Sequence, residues 1–140
     1  MEALNFNTYN QHISGISDFV INESKGEIIT GGEDFVLKTF KIETRENLSS
    51  VDIPDEVMAL ALCTINNKQN FAIGQGNSVQ FFDNYDLIET GDVNSCLLTE
   101  FNSKVRKMIF NKKYNLLISY SEDDDIHICN LDSKNVFKYK

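Results

Sequence analysis

Apolar and polar residues alternate along short stretches of this chain instead of recurring every three or four positions. In "VLKTFKI" from Val36, "SVQFFD" from Ser78 and "DIHICNL" from Asp125 the period is two, the spacing that sends successive side chains to opposite faces of a strand. In the last stretch Ile126, Ile128 and Asn130 share one face, and His127, Cys129 and Leu131 the other. Clusters of Gly, Asp, Asn and Lys separate such stretches every ~8 to 12 residues, as turns between strands do. The pattern predicts an all-β chain. Strands are expected near 16–22, 27–32, 35–42 and 47–52, then 57–64, 69–74, 78–83 and 94–99, then 105–110, 115–120, 125–131 and 135–139.

The pattern also repeats. Shifted by 89 residues, "DFVINESKGEIITGGEDFVLKTFKIETR" from Asp18 lies without a gap over "KMIFNKKYNLLISYSEDDDIHICNLDSK" from Lys107. Asn22 meets Asn111, Glu33 meets Glu122 and Asp34 meets Asp123, while Ile28, Ile29 and Thr30 meet Leu117, Ile118 and Ser119. A middle copy fits between them: "EVMALALC" from Glu56, the turn "TINNKQN", and "NFAIGQGNSVQFFDN" from Asn70, one residue shorter at its turn. Four strands in ~40 to 45 residues, repeated, mark the blades of a β-propeller. The expected units are blade 1 at about 12–52, blade 2 at about 53–99 and blade 3 at about 100–140.

"GGEDFVLKTFKI" resembles the second hairpin of a WD repeat, with small residues, an acid in the turn and a strand ending in an aromatic. Asp34 stands in that turn and Phe40 at the Trp position. Phe82 and Asp83 resemble the Trp-Asp ending in the second copy, and His12 lies where the Gly-His of the repeat is expected. The copies are degenerate, since the third has Cys129 and Asn130 at the Trp-Asp position and the chain has no Trp. The reading is an incomplete WD-repeat β-propeller of three four-stranded antiparallel blades. Propellers have four to eight blades, so three leave two apolar sheet faces unpaired. A truncated propeller is the expectation, with oligomerisation through the open faces as the alternative.

Within the WD-repeat class the order of blades resembles the N-terminal propeller of the replisome adaptor family, called chromosome transmission fidelity factor four in yeast and WD-repeat and HMG-box DNA-binding protein in animals. The residues that carry this are "NQHISGISDFVIN", "DEVMALALC" with "NSVQFFDN", and "LLTEFNSKVRKMIFN" leading into "LISYSEDDDIHICNLDSK". The resemblance implies a nuclear, non-enzymatic hub that connects the replicative helicase with DNA polymerase alpha and primase, and supports sister-chromatid cohesion. A generic WD-repeat interaction module of another complex, such as a ubiquitin ligase or a trafficking coat, is the alternative.

Charge and composition narrow the function classes further. The chain has 140 residues, 41% of them hydrophobic, and a formal charge of -8 from 21 acids and 13 bases. That excess repels a phosphate backbone, and the densest basic stretch, Lys104 to Lys113, is interrupted, so direct nucleic-acid binding is not expected. The N-terminus lacks the basic start and apolar run of a secretory signal. The apolar run Val57 to Cys63 is far short of the ~20 residues that span a bilayer. An intracellular chain follows, and the sequons at Asn22 and Asn47 carry no weight. Cys63, Cys96 and Cys129 are odd in number and read as small buried thiols, with no disulfide framework.

The acidic run Glu122 to Asp125 departs from a calcium loop, because Ile126 replaces the required Gly and Asp132 the bidentate Glu. His127 and Cys129 are two donors where zinc needs four. "IGQGNSV" precedes a strand, so no helix N-terminus is available for a pyrophosphate. With two histidines, His12 and His127, no catalytic triad can be assembled. No cofactor, metal or catalytic residue is predicted. The candidate sites are Asp124 and Asp125, which exceed what the hairpin requires and suit a basic partner, and Ser121, which precedes acids as an acid-directed kinase requires.

Overall fold

A computed structural model describes residues 15–86 and 95–140. His12 lies outside the described residues. Twelve strands form three four-stranded antiparallel meanders. The first sheet holds β1 (Ile16–Asn22), β2 (Glu27–Gly32), β3 (Val36–Lys41) and β4 (Asn47–Asp52). The second holds β5 (Val57–Ile65), β6 (Lys68–Gln75), β7 (Ser78–Phe82) and β8 (Cys96–Glu100), and the third β9 (Val105–Asn111), β10 (Leu116–Ser121), β11 (Ile126–Asn130) and β12 (Val136–Tyr139). Every expected strand is present, with ends moved by at most two residues.

The repeat extends to individual backbone bonds. Arg45 N–H donates to Lys41 O at 2.8 Å and Lys134 N–H to Asn130 O at 2.7 Å; Ile42 N–H donates to Gly26 O and Leu131 N–H to Asn115 O, both at 2.9 Å. Each pair is related by the 89-residue shift. The same holds for left-handed residues: Gly26 and Asn115, Phe35 and Asp124, and Arg45 and Lys134 all have positive φ. Gly and Asn enter that region readily, whereas Phe, Arg and Lys do so at a cost that the surrounding ladder must offset.

Each sheet presents one face, here called its front, to the back of the next. The front of the first sheet carries Ile29, Leu37 and Val51, packed on Val57, Leu60, Phe71 and Ile73 of the second. The front of the second carries Ala61, Cys63, Ala72, Val79 and Phe81, packed on Val105, Met108, Leu117 and Cys129 of the third. Full burial of a residue such as Phe71 or Ile73 contributes on the order of 2 to 3 kcal/mol. Close approach of the sheets demands glycine at two points. A Cβ on Gly31 would lie 2.2 Å from Val57 Cγ1, and one on Gly74 would lie 2.8 Å from Val105 Cγ1.

Polar bonds join the same faces. Buried Asn22 and Gln69 exchange amide bonds of 3.0 and 2.9 Å between the first two sheets. Asp18 Oδ2 accepts from the Leu60 N–H at 2.8 Å, and Tyr85 Oη donates to Glu27 Oε2 at 2.8 Å.

Candidate functional site

The acidic hairpin between β10 and β11 is a tight turn closed by the Asp124 N–H donating to Ser121 O at 3.0 Å and the Ser121 N–H donating to Asp125 O at 3.1 Å. Glu122, Asp123 and Asp124 are exposed and Asp125 is half-buried. Asp124 is not surplus to the hairpin as its sequence suggests: with φ 66° it fills the left-handed position that Phe35 fills with φ 65°. Asp tolerates that region better than Phe does.

Ser121 is 0% exposed and its Oγ has no hydrogen-bond partner. It stands where the first copy has the buried Gly32. A kinase therefore meets no hydroxyl here in the folded sheet, and phosphate could be added only after β10 opened. The Gly32 counterpart was the sequence signal of a tight place.

His127, at the start of β11, bridges two sheets. Its Nδ1 lies 2.6 Å from Thr99 Oγ1 of β8, and its ring stacks on Phe101 with centroids 3.7 Å apart and planes 14° apart. Burial, reinforced by the nearby Lys138 charge and opposed by Asp125, holds its pKa below the ordinary value. Both buried thiols are held protonated: burial pushes Cys63 up to about 12 and Cys129 up to about 11, against a smaller lowering by Lys134. Cys96 departs from the buried-thiol expectation. It is exposed because β8 is the outermost strand of its sheet.

Phe40 and Phe82 are buried, Asp34 is half-buried and Asp83 is exposed. Among the described residues no group of three or more His, Cys, Asp or Glu side chains is arranged to hold a metal, and no helix is long and apolar enough to cross a membrane.

Two unpaired apolar faces are expected from the sequence without their residues, and one of them is the front of the third sheet. Cross-strand register lines up Ile109, Ile118, Ile128 and Phe137 in one row over all four strands. Beside it runs a second row of Lys107, Tyr120, Ile126 and Tyr139. Ile109 is 55% exposed, and Phe137 and Tyr139 are each 56% exposed.

The sequence matches no protein-family profile and no curated protein. Its fold does match solved structures. The structure of U3-55K superposes with a TM-score of 0.72 at 14% identity over 93% of this chain, and the WD40 repeats of RRP9 with 0.71 at 14% over 91%. The chain spans 40% and 39% of their lengths. Three sheets packed front to back with this likeness give the chain the fold of an incomplete WD-repeat β-propeller.

Proposed function

We propose that this chain is a non-enzymatic protein-interaction scaffold. One observation carries the reading: an apolar row crosses the whole front of the third sheet and stands open to a partner, beside an acidic turn at its corner. The finer assignment rests on the sequence resemblance alone. By it, the chain is a nuclear replisome adaptor segment that serves DNA replication and sister-chromatid cohesion by engaging replicative helicase and DNA polymerase alpha/primase subunits. In this reading Asp124 and Asp125 dock a basic segment of one partner, an attraction that added salt would screen.

Affinity capture from nuclear extract with the wild-type chain and an Asp124→Asn, Asp125→Asn variant tests both levels. Asn keeps the left-handed turn and removes the charge. Helicase or polymerase alpha/primase subunits should be captured by the wild type and reduced in the variant. Capture of unrelated complexes alone, such as a ubiquitin ligase or a trafficking coat, would replace the replisome reading with the generic module. Equal capture by both chains would remove the docking role from Asp124 and Asp125.

A further inference from the structure

The two internal interfaces specify what a front face in this fold receives, and the third front face can be compared with them position by position. Three apolar contacts are retained across the 89-residue shift: Val20 becomes Ile109, Ile29 becomes Ile118 and Leu37 becomes Ile126. The amide is retained too. Asn22, which exchanges two hydrogen bonds with Gln69 of the next sheet, is matched by Asn111, whose side chain is exposed at the edge of the open face.

Several positions differ, among them Val51, which becomes Lys140; two of them concern the closest approach. Gly31 and Gly74 leave no room for a Cβ because Val57 and Val105, at the start of the following inner strand, press against them. The third sheet has Tyr120 in that place. Asp18, which accepts the Leu60 N–H, is replaced by Lys107, which can only donate. Tyr120 and Lys107 are directly paired across β10 and β9, so the two changes fall on one spot.

We propose that the front of the third sheet receives the back of a further four-stranded sheet whose inner strand has a small residue opposite Tyr120 and an acceptor opposite Lys107. An amide at the place of Gln69 would pair with Asn111, whose Oδ1 also accepts the Tyr114 N–H at 3.1 Å. The occupant is not a second copy of this chain stacked head to tail, because the first sheet would bring Ile16 to the position of Val57 and Val105. Ile16 is the larger residue, and Tyr120 already fills the space. The inference deepens the scaffold reading and rests on it. Tyr120 and Lys107 become the residues that select the partner sheet.

The test extends the full chain. Lys140 is equivalent to Val51 by the same shift, so residues 52–104 are appended directly after it as a probe sheet. Both versions carry Lys107→Asp, which restores the acceptor that the copied Leu60 N–H meets at Asp18; one keeps valine at the copied Val57 and the other has alanine there. Ile118→Cys on the front face reports docking through its labelling rate, resolved from Cys96 by peptide mass spectrometry. The alanine version should slow labelling about tenfold or more, the factor that ~1.4 kcal/mol of docking supplies, and the valine version should not. Tyr120→Gly with the valine version should restore protection, which also establishes that the appended sheet folds.

Equal protection by both versions would overturn the selective role of Tyr120. No protection in any version, Tyr120→Gly included, would overturn the sheet-docking site. Concentration-dependent protection of the unextended chain would assign the face to a second copy and overturn the choice of occupant. None of these readouts depends on a cellular partner, so they are separable from failure of the capture experiment.

Discussion

Gly31→Ala is the sharpest perturbation of the sheet-to-sheet packing. The added methyl would sit 2.2 Å from Val57 Cγ1, 3.0 Å from Val57 Cβ and 3.6 Å from Leu60 Cδ1. Val57 is fully buried and lies in β5, which is paired with β6 from Val57 to Ile65 apart from a register shift between Val57 and Ala59, and a β-branched side chain has few alternative rotamers. Relief requires the sheets to separate locally. Overpacking of this kind costs about 1 to 3 kcal/mol, offset by roughly 0.5 to 1 kcal/mol because Ala suits a strand better than Gly. The 2.2 Å approach puts the overpacking cost in the upper half of that range, so a net loss of about 1 to 2.5 kcal/mol is expected, a sizeable part of the ~5 to 15 kcal/mol that stabilises a domain.

Val57→Ala alone should cost about 2 kcal/mol, from two methyl groups at ~0.8 kcal/mol each plus the cavity they leave. In that background Gly31→Ala should cost nothing or slightly stabilise. Urea unfolding of the four proteins closes a double-mutant cycle, with an expected coupling of about 1 to 2.5 kcal/mol favouring the double variant. Additive effects, or a Gly31→Ala chain within ~0.5 kcal/mol of wild type, would refute the claim that the glycine is demanded by the next sheet. The argument for Tyr120 would fall with it.

Three further outcomes follow from single sites. The pKa of His127 is lowered in the folded state, so the unfolded chain takes up its proton first; the contribution of neutral His127 is complete above about 6.5 and is lost as pH falls below it. The stability difference between wild type and His127→Phe, which keeps the stack on Phe101, should therefore shrink between about pH 7.5 and 5; a constant difference would refute the assignment. Tyr85→Phe removes the donor to buried Glu27 Oε2 and should cost about 1.5 to 3 kcal/mol in urea unfolding, as bonds to charged groups do, and a loss below ~0.5 kcal/mol would show that the carboxylate finds another partner. Asp124→Gly should leave stability unchanged or raise it, while Asp124→Val should lower it by about 1 to 2 kcal/mol because a β-branched residue resists positive φ; equal stabilities would separate Asp124 from the turn geometry.

How much of this was legible in the chain depends on whether a feature is set within one strand or between sheets. Alternation and turn residues act locally, so "DIHICNL" announced its period and which side chains share a face, and Gly26, Asn66, Asn67 and Asn115 announced turns that need positive φ. Phe35, Arg45 and Lys134 adopt the same backbone region with no local signal, because the ladders on either side impose it.

Burial between sheets was less readable, since it depends on which neighbour exists. Cys96 and Cys63 have similar apolar surroundings in sequence, yet one lies on an outer strand and the other between two sheets. Ser121 looks like a surface serine beside four acids, but its place belongs to Gly32 in the first copy and is fully enclosed. Tyr120 has the same history one position earlier. An aromatic in an alternating strand is unremarkable until Gly31 and Gly74 show that the fold leaves no room there for a Cβ. The departure of one copy from its siblings is thus the informative signal: where the third sheet keeps Asn111 and the apolar row it keeps the capacity to bind a sheet, and where it changes Gly to Tyr and Asp to Lys it changes which sheet it can bind.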